Sequence, residues 1–196
     1  MNKSILRWIE RDNNLDEENK AIISFGVDQM LNAGLNLISL ILLGIIMNSW
    51  KESVIFLLLF IPLRKYAGGY HADTKIRCYM LTNLMFVLSI QFYKLFSGSE
   101  TEILFFSIVL SVLVGMLSPV DNLNNLLSAK QKRLYQAKML KRVKIEIFIC
   151  IFLQIIGIQF VLQIELCVLL LILVLQLLGI LKKQVIGLSL KEGISR

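Results

Sequence analysis

Residues 143–181 read VKIEIFICIFLQIIGIQFVLQIELCVLLLILVLQLLGIL, and this stretch decides the fold. Lys144, Glu146 and Glu165 are its only charged residues, and from Leu166 to Leu181 there is none. A membrane-spanning helix takes about 20 predominantly apolar residues. The stretch is long enough for two, Val143–Leu162 and Leu166–Leu181, and Gln163 and Glu165 mark an expected tight hairpin between them. Four further apolar runs lie upstream: Met30–Met47, Trp50–Tyr66, Tyr79–Phe96 and Ile103–Val120. The run at Trp50–Tyr66 is the weakest. Its uninterrupted core is only Val54–Leu63, with Pro62 near the end, and a core this short also fits a re-entrant or tilted segment.

Composition agrees with that division. The chain has 196 residues, 56% hydrophobic and 18% charged, with a mean hydropathy of +0.70. Soluble domains run about 45–50% apolar and about 25% charged. A soluble globular domain is therefore excluded, as are collagen-like, disordered and disulfide-scaffold classes. Of the three cysteines, Cys150 and Cys167 lie inside apolar runs, so no disulfide framework is expected and both read as small packing residues.

The net charge of +7 is distributed as a membrane protein distributes it. Lys3, Arg7, Arg11 and Lys20 precede the first run. Arg64, Lys65, Lys75 and Arg77 follow the second, seven basic residues lie from Lys130 to Lys144, and Lys182, Lys183, Lys191 and Arg196 close the chain. Only Lys51 and Lys94 fall in the intervening loops. Positive residues accumulate on the cytoplasmic side, so the expectation is an all-α integral membrane protein with six transmembrane helices and both termini cytoplasmic. Ile5, Leu6, Trp8 and Ile9 recur at helical spacing beside Lys3, Arg7, Glu10 and Arg11, the pattern of an N-terminal amphipathic helix lying in the interface. The expected organisation is an interfacial segment over 1–28, a six-helix domain over 29–182 and a cytoplasmic tail over 183–196. The first 28 residues are mixed in charge and lack the pattern of a cleavable signal.

Chemistry concentrates in one cytoplasmic segment, Arg64-Lys65-Tyr66-Ala67-Gly68-Gly69-Tyr70-His71-Ala72, with Cys78 seven residues after the only histidine. A thiolate can attack a carbonyl while an imidazole takes the thiol proton and later protonates the leaving amine. Arg64, Lys65, Lys75 and Arg77 make the surroundings electropositive, which favours a thiolate. Gly68 and Gly69 permit a tight turn and a close approach of peptide backbone. On one continuous helix, residues seven apart stand about 10.5 Å apart along the axis, so the Gly68–Arg77 stretch must bend if His71 and Cys78 are to meet, with Cys78 near the start of the third helix. The residues also fit a plainer role, His71 at headgroup level and Cys78 inert at a helix end. A group to orient the imidazole is open among Asp73, Asp28, Asn32 and Asn36. Gln154, Gln159 and Gln176 fit hydrogen bonds between helices or a polar substrate path. With one histidine, no phosphate loop and no metal-ligand spacing, no cofactor, metal or nucleic-acid partner is expected.

Arg64, Lys65, Ala67, Gly69, His71, Ala72 and Cys78, in this order, resemble the accessory gene regulator B (AgrB) family, membrane peptidases of Gram-positive quorum sensing. Length, span number and basic cytoplasmic loops fit the family across nearly the whole chain. The resemblance implies a cysteine endopeptidase in the cell membrane acting on an AgrD-type propeptide, with Cys78 as nucleophile, His71 as general base and acid, and Arg64 and Gly69 as supporting motif residues. Lys65 and Gly68 complete that segment, and Asp28 stands as a shorter equivalent of a Glu or Gln in relatives. It further implies removal of the propeptide's acidic C-terminal tail, a thioester on Cys78, closure to a cyclic thiolactone or lactone, and a homodimer beside membrane lipid. Ser118-Pro119 matches the family pattern after the fourth span, but Asn124-Asn125-Leu126 replaces its Lys-Pro portion. The alternative functions are a non-hydrolytic peptide transporter or exporter, which would tolerate Cys78→Ser, and a membrane assembly subunit, which would also tolerate loss of His71.

Overall fold

The computed structural model describes residues 16–70, 72, 74–96, 98–121 and 127–194. The expected amphipathic helix in the first fifteen residues, His71 and Asp73 lie outside the described residues. Among those described, the chain is helical: α1 Glu17–Ile46, α2 Trp50–Ala67, α3 Lys75–Leu95, α4 Glu100–Leu117, α5 Ala129–Ile156 and α6 Gln159–Ile194. Three of these, over Gly26–Ile46, Glu100–Leu117 and Gln159–Val185, are long and apolar enough to cross a membrane. In α2, Lys51 and Glu52 at one end and Arg64 and Lys65 at the other shorten the apolar stretch.

The connections follow from local chemistry. Asn48 takes the left-handed conformation, φ 52°, and Ser49 donates its N–H to Gly44 O at 2.7 Å, so α1 ends in the six-to-one bond typical of helix C-termini. The turn brings α2 back against α1 at Gly44, where a Cβ would collide with the Ser53 side chain. Ser99 and Ser128 cap α4 and α5 with reciprocal bonds to Glu102 and Gln131.

Helix α6 is the axis of the molecule. It packs against α2, α3, α4 and α5, while α1 lies outside against α2 and α3. The core joins Phe56, Leu63 and Ala67 of α2, Phe86 and Ile90 of α3, and Ile164, Val168, Leu169 and Ile172 of α6. The rings of Phe56 and Phe86 meet edge to face, 5.2 Å between centroids. The outward faces are also apolar: Ile46, Leu95, Met116 and Ile155 are each at least 73% exposed, which suits lipid and not water.

Two boundaries depart from expectation. Helix α5 begins at Ala129, so the basic block and the apolar run form one helix. The break between α5 and α6 falls at Gly157 and Ile158, upstream of the expected hairpin at Gln163 and Glu165. Gly157 adopts φ 79° and ψ 23°, and Ile158 N–H reaches Leu153 O at 3.0 Å, closing α5 in a Schellman motif. Glu165, read from sequence as a turn residue, is fully buried in α6 beside Cys150, Glu146 and Arg142 of α5. Arg142 Nε lies 2.8 Å from Glu146 Oε1. Arg142 and Glu146 pair within α5, and Glu165 lies beside them from α6, inside the helix–helix interface and not at a turn.

Candidate active site

The segment that carries the candidate residues starts where α2 stops. Gly68 and Gly69 have φ of 70° and 111°, values L side chains rarely adopt. The backbone turns out of the helix there and runs extended beside Val120, the segment that follows α4. Val120 N–H donates to Ala67 O at 3.0 Å, and Gly69 N–H donates to Val120 O at 3.2 Å. Tyr70 N–H then donates to Leu175 O of α6 at 2.7 Å. This short strand therefore lies between α4's exit and the Leu175 turn of α6.

Arg64, on the last turn of α2, holds the strand from its other edge. One guanidinium nitrogen donates to Gly68 O and the other to Tyr70 O at 2.6 Å. The planar fork spans two carbonyls that a lysine's point charge would not bridge. Arg64 also lies within electrostatic reach of Cys78. Lys65, by contrast, is exposed and sits over the Tyr66 ring at 5.7 Å, as does Lys138 of α5, while Tyr135 meets that ring edge-on. Lys65 thus belongs to a contact between α2 and α5 and not to the strand.

Helix α3 restarts at Lys75, capped by the Thr74 hydroxyl, which accepts from Arg77 N–H. Cys78 is half-buried and has a free thiol. Its N–H reaches Thr74 O at 3.0 Å, which puts the residue in the first turn, where the helix dipole is most positive. Cys78 thus lies on α3, a separate helix from α2, which ends at Ala67. Asp28 of α1 pairs with Lys75 at 3.1 Å. Asn32 and Asn36 donate to carbonyls of their own helix, and Ser39 shares a 2.6 Å bond with Tyr79. The Asp28–Lys75 and Ser39–Tyr79 contacts tie α1 to the start of α3, which carries Cys78.

On the basic rim, Asp121 accepts from Lys132 of α5 and, at 3.3 Å, from Lys183 of α6. Lys182 lies over the Tyr70 ring, 5.1 Å from its centroid. Burial opposes the charge on Asp121, but the two ammonium groups outweigh it and hold its carboxyl below the usual range.

Sequence reasoning missed Val120, Leu175 and Gly179 as parts of this site. Leu175 and Val120 act through backbone atoms, which no residue type announces. Gly179 had a signal, a glycine inside an uninterrupted apolar helix, which commonly marks a close backbone approach: a Cβ there would stand 2.8 Å from Gly69 C and Tyr70 N.

The accessory gene regulator B family model matches residues 2–183. An AgrB-like protein of Clostridium perfringens strain 13 is 30% identical over 158 residues, 76% of this chain and 73% of the relative. A counterpart in strain SM101 matches to the same extent, and one from Lactiplantibacillus plantarum is 28% identical over 133 residues, 66% of each chain. No solved structure matches.

Proposed function

The chain belongs to the accessory gene regulator B family, and from that premise we propose that it is a membrane-embedded cysteine endopeptidase that processes and cyclises a quorum-sensing propeptide of the AgrD type. The observation that carries this reading is the Gly68–Tyr70 strand pinned by Arg64, whose guanidinium lies within electrostatic reach of Cys78; His71 follows Tyr70 in the sequence.

In the proposed reaction, Cys78 Sγ attacks the carbonyl carbon of the scissile bond, and His71 receives the thiol proton and passes it to the departing amine. The propeptide's C-terminal tail leaves and its N-terminal part remains as a thioester. An internal cysteine or serine of the propeptide then attacks that thioester, its proton going to the Cys78 sulfur, and the ring closes. Holding the internal nucleophile beside the thioester makes closure effectively unimolecular, and excluding water keeps hydrolysis from competing. Arg64 and Gly69 hold the strand, Gly68 makes its turn, Asp28 braces the Cys78 turn through Lys75, and Lys65 belongs to the basic rim.

The proposed setting is a cell membrane crossed six times with both termini and the site cytoplasmic, in keeping with the basic loops and with relatives from Gram-positive bacteria. The N-terminal amphipathic segment and the propeptide's leader share that membrane surface, and the protein acts as a homodimer. The test is propeptide cleavage in membranes at matched expression, read by mass spectrometry. Wild type should release the C-terminal tail, while Cys78→Ser and His71→Ala should release less by a factor of about 100 or more. Normal cleavage by Cys78→Ser would refute the reading.

A further inference from the structure

Three helices meet at one fully buried carboxamide, that of Gln176 on α6. Its Nε2 donates to Ala67 O of α2 at 3.2 Å, to Val114 O of α4 at 3.2 Å, and to Ser118 Oγ at 2.8 Å. Ala67 closes α2, where carbonyls lack an intrahelical donor, and Val114 lies in the last turn of α4, its carbonyl already accepting from Ser118 N–H at 3.2 Å. Ser118 donates its own hydroxyl to Val114 O at 2.6 Å, leaving its oxygen lone pairs to accept from Gln176. The carboxamide's two N–H groups are shared among these three acceptors, which an apolar side chain could not serve, while its Oε1 has no hydrogen-bond partner among the described residues.

Ala67 O has a second role. It accepts from Val120 N–H, the first bond of the pair that continues as Gly69 N–H to Val120 O. Gln176 therefore grips the point where α2 becomes the strand. One residue earlier on α6, Leu175 O accepts from Tyr70 N–H, and one turn later Gly179 leaves the room in which Gly69 and Tyr70 lie on the helix. Three contacts on a single helix, at Leu175, Gln176 and Gly179, thus fix the beginning, the end and the height of the Gly68–Tyr70 strand.

We infer that Gln176 and Gly179 form a positioning seat on α6 that sets the register of the Gly68–Tyr70 strand and, through it, the point from which His71 is presented to Cys78. The inference rests on the reading of His71 and Cys78 as base and nucleophile. Neither seat residue takes part in the chemistry; both act through the backbone that precedes His71.

The test measures, in membranes carrying the full-length protein, the rate of iodoacetamide alkylation at Cys78 over a pH series, by mass spectrometry of the Cys78 peptide. Alkylation follows the thiolate, so under the proposed pairing its midpoint reports the influence of the His71 imidazole, which a merely structural role would not move. His71→Ala should shift the midpoint upward, and Gln176→Leu should shift it in the same direction. Its kcat for propeptide should fall at least about 10-fold while KM changes less than about 3-fold. A Gln176→Leu midpoint that stays at wild type while His71→Ala moves would overturn the positioning seat and leave the catalytic pair standing. An unmoved His71→Ala midpoint would overturn the pair and the seat together. Should Gln176→Leu fail to accumulate in membranes, Gly179→Ala serves in its place. It leaves every Gln176 bond intact, presses a methyl group on Gly69 and Tyr70, and carries the same expected and overturning outcomes.

Discussion

At the scale of single residues, the site depends on backbone that only glycine adopts and on one guanidinium fork. Gly69 sits at φ 111°, and a Cβ there would stand 2.8 Å from Leu175 O and 2.9 Å from an Arg64 guanidinium nitrogen. Gly69→Ala should therefore cost about 1–3 kcal/mol in strain and displace the strand. A displacement on the order of 1 Å can lower a rate about 100-fold, so tail release should fall by about that factor at matched membrane levels; wild-type release would show that the strand's placement does not matter. Arg64→Lys keeps the charge but cannot donate to Gly68 O and Tyr70 O together. Cleavage should drop about 10-fold or more, with the variant still present in membranes, since two carbonyls lose a shared anchor while the core of α2 is untouched. Equal cleavage by both proteins would mean that charge, and not the fork, is what the position supplies.

Among the elements, Asp121 is the tie that holds the start of α5 and the Lys183 turn of α6 to the exit of α4, through Lys132 and Lys183. Its side chain is 6% exposed while those lysines are 44% and 51% exposed, so the tie contributes on the scale of surface pairs, about 1 kcal/mol. The sign with pH follows from the lowered carboxyl pKa. The stabilisation is fully present above the unfolded value, near 3.9, and is lost as pH falls through the lower folded value. Thermal unfolding should show Asp121→Asn less stable than wild type at neutral pH, with the difference shrinking under acid conditions; a difference independent of pH would contradict this account. The elements also show what sequence can and cannot reveal. The helices in 30–66 and 79–120 were legible because apolar runs end at polar or turn-forming residues such as Asn48 and Ser99, and the Arg64–Cys78 motif was legible because its chemistry lies in side chains. The α5–α6 break was not, because Glu165 looks like a turn residue until Arg142 and Glu146 are seen across from it, while Gly157 is one glycine among many apolar neighbours. Gln176 was legible only as a polar residue in a span, since its acceptors come from Ala67, Val114 and Ser118, far away in sequence.

Over the whole molecule, an apolar exterior surrounds a polar seat at the ends of α2 and α4, against the middle of the central helix α6. The basic residues of α5 and of the Lys182–Lys183 pair gather on the side of those ends, and Lys51 and Lys94 lie on the other, where Lys94 donates to Met47 O at 2.7 Å. The proposed six crossings therefore place the α1–α2 turn outside and the start of α5 inside. A membrane-impermeant maleimide should label Asn48→Cys in intact cells and Lys130→Cys only after permeabilisation, each in a background with Cys78, Cys150 and Cys167 replaced; the reverse pattern would invert or break the topology. The central claim is that Cys78 carries the propeptide's acyl group. The most direct measurement is the mass of the Cys78-containing peptide from membranes incubated with propeptide and quenched in acid. The account predicts an adduct equal to the propeptide without its C-terminal tail, released by hydroxylamine and missing in Cys78→Ala. Tail release at the wild-type rate from Cys78→Ala membranes, with no adduct at this cysteine in wild type, would contradict it.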